Sequence, residues 1–123
     1  YIIVPGTSPS QLNVYAKNLP VSILSNTANI QAVAHNTLNI TGIVFHQAGA
    51  FAVSPDLLIA VDHPVLLLLD QQNGFISVSD PTTQLKQVVV SLKKNDMIKT
   101  KIVAMPTDEL GGKSLRVPLS EFK

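Results

Sequence analysis

The sequence predicts an all-β fold, an antiparallel two-sheet β-sandwich with one short N-terminal helix over about residues 9–18. Three observations support it. Val, Ile, Leu and Thr recur in runs of four to eight residues, the length and composition of strands. Gly, Pro, Asn and Asp bound those runs. The runs follow one another too closely for helical crossovers between them, which favours a sandwich or barrel. At 123 residues the chain has the length of a single domain, taken here as 1–123. A chain of this size buries roughly two-thirds of the surface its unfolded form exposes.

The first strand is placed at 1–4, in "YIIVPG". The helix follows, because Leu12, Tyr15, Ala16 and Leu19 recur at i, i+3, i+4 and i+7. Ser8 suits its N-cap and Pro9 its first position, and Pro20 ends it. Its apolar face is expected to lie on a sheet. Further strands are placed at 21–25, 29–35, 38–46, 50–53, 57–61, 65–70, 74–79, 85–92, 98–105 and 115–119. Asn73-Gly74 marks a hairpin. Gly111-Gly112, between two apolar runs, reads as a second. Gly42 interrupts "LNITGIVF" and suggests a bulge. In "SVSDPTTQ", Asp80 precedes Pro81 and suits turn entry, with its carboxylate bonded to the backbone ahead. Ile76 and Val78 share one strand face before that turn, and Val88, Val90 and Leu92 share one after it.

Composition narrows the functional classes. The net charge is +1 and only 14% of residues are charged, which argues against a nucleic-acid binder. With 46% hydrophobic residues the chain is not disordered. It holds no cysteine, so thiolate chemistry and disulfides are excluded. The longest apolar stretch, "LLIAVDHPVLLLL", is cut by Asp62, His63 and Pro64, and no half approaches the ~20 residues of a membrane helix. A soluble protein is expected. "YIIVPG" has no basic n-region or cleavage site. An opening this abrupt suggests a piece of a longer polypeptide.

Catalytic constellations are weak. His35 and His46 could face each other across a hairpin, but a metal site needs a third ligand. The simpler reading makes them polar residues of an outer sheet face, with His63 structural in a turn. No G-x-S-x-G elbow, Walker loop or G-x-G-x-x-G occurs. Asp108 and Glu109 are adjacent, so on a strand they would point to opposite faces. No catalytic residue, metal or cofactor is therefore assigned. Lys93, Lys94, Lys99 and Lys101 bracket "KKNDMIK" and form a candidate positive patch for an anionic polymer. The plainer reading is a solvated loop or a protected edge strand.

Several segments together resemble the C-terminal β-sandwich domain of family-8 polysaccharide lyases, the family of hyaluronate, chondroitin and xanthan lyases. They are "YIIVPG" at 1–6, "LNVYAKN" at 12–18, "PVSILSNTANIQAVAH" at 20–35, "LNITGIVFHQAG" at 38–49, "ISVSDPTTQ" at 76–84 and "GGKSLRVPL" at 111–119. The resemblance covers nearly the whole chain. It implies a secreted or periplasmic bacterial enzyme with an N-terminal α/α toroid, a central β-supersandwich and this smaller sandwich. It also implies β-elimination at a uronic acid, in which a base takes the C5 proton and the 4-linked sugar leaves. The Asn, His, Tyr and Arg of that chemistry belong to the family's helical domain. None carries over here: Tyr1 and His35 lie in segments matching the C-terminal domain, and Arg116, the only arginine, sits in a C-terminal strand.

The leading expectation is therefore a non-catalytic accessory domain that packs against the toroid and supersandwich of a parent lyase. Separated from them, it should expose a large apolar patch. The alternatives are a stand-alone module binding an anionic polysaccharide through the four lysines, and a structural adhesion-type sandwich.

Overall fold

A computed structural model describes residues 2–123. The described residues form two antiparallel sheets and one short helix. The helix is α1 (Pro9–Lys17), and the strands are β1 (Val21–Asn26), β2 (Ile30–His35), β3 (Ile40–Phe45), β4 (Gly49–Ser54), β5 (Leu57–Val61), β6 (Val65–Asp70), β7 (Phe75–Ser79), β8 (Gln87–Lys94), β9 (Met97–Ala104) and β10 (Leu115–Pro118). The larger sheet has the order β1-β2-β3-β6-β7-β10 and the smaller β4-β5-β8-β9. The chain thus changes sheet after β3, β5, β7 and β9. This is the predicted sandwich.

Register explains the core. In the larger sheet Ala32, Ile43, Leu67, Val78 and Leu115 form one cross-strand row. Ala34, Thr41, Leu69, Ile76 and Val117 form the next row on the same face. In the smaller sheet the inward rows begin with Phe51, Ile59 and Leu92 and with Gly49, Val61 and Val90. Ile59, Ile76, Val88 and Val90 are fully enclosed. Period-two alternation puts these apolar sets on facing surfaces, and their removal from water is the main favourable term in folding.

Five expectations need correction. Residues 2–4 form no strand, and Tyr1 lies outside the described residues. β-propensity without a neighbouring ladder leaves backbone groups to water, and Ile2 and Ile3 are exposed. The helix forms as expected, closed by a capping box of Ser8 and Gln11 and with Pro9 in its first turn. Its apolar face does not lie on a sheet, and none of its residues is buried. The two sheets fill each other's inner faces and leave α1 outside.

Gly111-Gly112 makes no hairpin, because β9 and β10 belong to different sheets. The two glycines instead let the 108–114 segment approach the β7–β8 connection closely. A Cβ at Gly111 would lie 3.2 Å from both Asp108 O and Thr83 Cβ, and Gly112 has a φ of +80°. Ser79 Oγ donates to the Gly112 carbonyl at 2.9 Å. Gly42 pairs regularly with Val33 and Leu68. The irregularities fall instead at Ile23/Ser25 and Ala52/Ser54. Finally, His35 and His46 do not face each other. His35 pairs with Ile40 beside the β2–β3 turn, whereas the His46 N–H reaches the Asn29 carbonyl at the far end of that hairpin.

Asn73-Gly74 does close a hairpin, between β6 and β7. Gly74 takes a φ of +71° and its N–H donates to the Asp70 carbonyl at 2.9 Å.

Candidate functional site

The residues with conventional catalytic chemistry are spread out and locally satisfied. The His35 ring accepts the Leu38 N–H at 3.3 Å. His46 Nε2 lies 3.4 Å from Gln31 Oε1, and His63 Nδ1 lies 2.9 Å from Asp62 Oδ1. Among the described residues no group of three His, Cys, Asp or Glu side chains could hold a metal ion. Asp108 and Glu109 occupy a 3₁₀ turn, Asp108–Leu110, rather than a strand.

Asp80 is the most interconnected carboxylate. It is 2% exposed. It accepts the Thr82 N–H at 2.8 Å, the Thr82 hydroxyl at 2.6 Å, the Gln84 N–H at 2.9 Å and the Leu85 N–H at 2.8 Å. Burial alone would raise its pKa. The hydrogen bonds from Thr82, Leu85 and Gln84 outweigh burial and hold it below the ordinary aspartate value. This is the expected turn, and with every donor belonging to the turn itself, the carboxylate is structural.

Asp70 and Asp62 do similar work. The Asn73 side-chain amide and then the Asn73 N–H lower the Asp70 carboxyl, against burial and with smaller help from the Gln72 N–H and Arg116. For Asp62, burial pushes up, but His63 and the Val89 N–H more than reverse it. All three folded pKa values lie below the unfolded ~3.9. Their contribution to stability is therefore complete above about pH 4 and is lost as pH falls through the lower folded values. Thermal melts followed by circular dichroism should show a Tm insensitive to these groups above pH 5 and falling steeply below pH 4. A Tm that holds constant from pH 5 to pH 2 would contradict this.

The four lysines predicted as a patch do not form one surface. All stand on the β8–β9 hairpin, whose register pairs Lys93 with Ile98, Lys94 with Met97, Leu92 with Lys99 and Val90 with Lys101. Lys94, Lys99 and Lys101 occupy positions in phase with the inward-facing Val90 and Val103, whereas Lys93 is in phase with the outer face. Lys101 Nζ is paired with Glu121 at 2.8 Å. Lys94 and Lys99 line one cavity at the end of the sandwich.

A second surface stands out on the outer face of the larger sheet. One row across all six strands reads Ile23, Val33, Gly42, Leu68, Ser77 and Arg116. The next reads Gln31, Val44, Leu66 and Ser79. Ile23 is 74% exposed, Val33 43%, Leu68 39% and Leu66 37%. The lack of a side chain at Gly42 opens a shallow groove of about 510 Å³ between Val33, Val44, Leu66 and Leu68. These are central strands, where an antiparallel sheet facing water ordinarily alternates to polar residues. Arg116 closes the row at its edge, with its guanidinium 3.9 Å above the Phe75 ring. The sequence signal for this face is the unbroken "VLLLL" of β6, apolar in both phases.

Known proteins share this geometry. Residues 22–89 match the family described as polysaccharide lyase family 8, C-terminal beta-sandwich domain. Chondroitinase-AC of Pedobacter heparinus is 30% identical over 122 residues, which is 95% of this chain and 17% of that protein. Among solved structures, a chondroitinase AC lyase superposes with a TM-score of 0.78 at 26% identity, over 90% of this chain and 17% of the other. A Paenibacillus xanthan lyase shares the fold, with a TM-score of 0.74 at 24% identity over 93% of this chain and 12% of the other. The chain thus spans less than a fifth of the length of the relatives it matches. With the match to more than half of its residues, the chain belongs to the polysaccharide lyase family 8 C-terminal β-sandwich domains.

Proposed function

We propose that the chain is a non-catalytic accessory domain of a secreted bacterial polysaccharide lyase that cleaves uronic-acid polysaccharides by β-elimination. In this reading it docks on the central β-supersandwich, braces the neighbouring α/α toroid and leaves the chemistry to residues outside it. The observation that carries the reading is the apolar strip on the outer face of the larger sheet, with Val33, Leu66 and Leu68 on interior strands. Sheets pack face to face at about 10 Å through such surfaces. No cofactor or metal takes part in this role.

The purified chain is expected to leave chondroitin, hyaluronan and xanthan intact, with no rise in ultraviolet absorbance from unsaturated uronate. Measurable cleavage by residues 1–123 alone would sink the proposal. Within the longer polypeptide that this reading requires, the pair Leu66→Glu and Leu68→Glu should weaken interdomain packing and lower the Tm.

A second reading has Lys94 and Lys99 hold an anionic polysaccharide, with Lys93 and Lys101 of the same hairpin adding only longer-range attraction, and the lack of a carboxylate partner for Lys94 and Lys99 among the described residues favours it. It predicts salt-sensitive retention on immobilised glycosaminoglycan. Retention that survives changing all four lysines to glutamine would remove that surface.

A further inference from the structure

The end of the sandwich at the β8–β9 turn is open. A cavity of about 320 Å³ enters there between the two sheets. Its walls are Leu57 and Leu92 from the smaller sheet, Leu69 from the larger, and Leu119 and Met97 at the sides. Leu57, Leu92 and Leu119 pack directly on the buried core, so the floor of the cavity is core surface. Its polar lining groups are Gln71, Lys94 and Lys99, and no acidic side chain lines it.

Both lysines are exposed, yet they stand on the inward phase of the smaller sheet at the rim of this cavity. Cross-strand rows run Leu57, Lys94, Met97 and Ile59, Leu92, Lys99. Each row puts a lysine on the inward phase of the smaller sheet, where the neighbouring rows carry Val88, Val90 and Val103. An inward charge on an edge strand can serve to block edge-to-edge pairing. That accounts for Lys99, because β9 is an edge, but β8 is an interior strand and Lys94 is not explained by it. Lys101, the third inward lysine, is neutralised by Glu121. Lys94 and Lys99 form no ion pair among the described residues.

From this pairing of an apolar floor with two uncompensated ammonium groups, we infer that the cavity binds a small amphiphilic anion, an aliphatic carboxylate whose head group sits between Lys94 and Lys99 and whose chain lies on Leu57, Leu92 and Leu119. Mostly apolar concavities with a few convergent polar groups are the general form of a small-ligand site. At the ~30 Å³ that a water-sized group takes up in a liquid, the cavity has room for on the order of ten heavy atoms. Octanoate is of that size. The inference is independent of the lyase reading, because it uses neither the outer face of the larger sheet nor any partner.

Titration of sodium octanoate into the chain, followed by calorimetry and by the methyl resonances of the leucines, tests it. Saturable one-to-one binding is expected, with shifts at Leu57, Leu92 and Leu119. Acetate lacks the aliphatic body, and octyltrimethylammonium has the opposite charge; neither should saturate. Lys94→Gln with Lys99→Gln should weaken octanoate by about tenfold or more, the effect of losing charge-assisted contacts. The control pair Lys93→Gln with Lys113→Gln removes the same charge elsewhere and should leave affinity unchanged. Equal loss in the control pair, equal binding of the cationic amphiphile, or no saturable octanoate binding would each overturn the inference.

Discussion

Replacing Asp80 by alanine is expected to lower the stability of the chain by about 3 kcal/mol, the largest effect of any polar substitution in it. Four donors converge on this carboxylate: two from Thr82 and one each from Gln84 and Leu85. Hydrogen bonds to a charged group contribute about 1.5–3 kcal/mol each, and a donor left unpaired costs its desolvation. Solvent can reach Thr82 and Gln84, so the four bonds do not sum to their full value. The same turn carries Thr83 at a φ of +59°, an unfavourable region for a β-branched residue. Without the carboxylate, the Thr83 N–H to the Asp80 carbonyl, at 3.2 Å, is the hydrogen bond left to offset that strain. A change of this size corresponds to a fall in Tm of about 10–15 °C for a domain of this length. Asp80→Asn should cost about 1–2 kcal/mol, because one oxygen still accepts while the amide meets donors with a donor. The difference between wild type and Asp80→Asn should shrink as pH falls below about 4, since protonation removes the same charge. A constant difference from pH 6 to pH 2 would show that the charge is irrelevant to the turn.

The second large effect is a contrast between neighbours. Leu67→Asp should abolish cooperative folding, whereas Leu68→Asp should change stability by less than about 1 kcal/mol. The two residues are adjacent on β6, and alternation sends them to opposite faces. Leu67 is enclosed between Ile43 and Val78 on the inner face. Removing a buried leucine side chain costs about 2–5 kcal/mol, and an unpaired carboxylate in its place adds several more. The total rivals the ~5–15 kcal/mol that a whole domain has in hand. Leu68 lies between Gly42 and Ser77 on the outer face, where a carboxylate keeps its water. Chemical denaturation of both variants, with sedimentation to measure self-association, separates the cases. Leu68→Asp should also reduce any self-association through the outer face. Equal destabilisation by both substitutions would mean that the outer face is not free in the isolated chain.

Much of the architecture was legible in the residues. Runs of strand-forming residues located every strand from β1 to β10 to within two residues, because strand propensity and bounding turn residues are local properties. Ser8 and Pro9 marked the start of α1, which is closed by capping bonds within its own first turn. Asp80-Pro81 and Asn73-Gly74 behaved as turns for the same reason, since their hydrogen bonds span only a few residues. The family resemblance rested on segments such as "NTANIQAVAH" and "VSDPTTQ".

What failed were expectations that depended on a particular neighbour. Ile2 and Ile3 have strand-forming side chains but no ladder to join. Leu12 and Tyr15 make an amphipathic stripe, yet no residue of the helix is buried against a sheet. Gly111-Gly112 looks like a hairpin turn only until β9 and β10 are assigned to different sheets. The four lysines are close in sequence, but alternation and the Glu121 pair divide them, leaving Lys94 and Lys99 together over an apolar floor. By itself the sequence determined the strands, the local turns and the family, because short-range backbone preferences and period-two patterning set them. Only the tertiary structure decided which strands share a sheet, which apolar residues stay exposed and which charges share a cavity, because those depend on pairings between segments far apart in the chain.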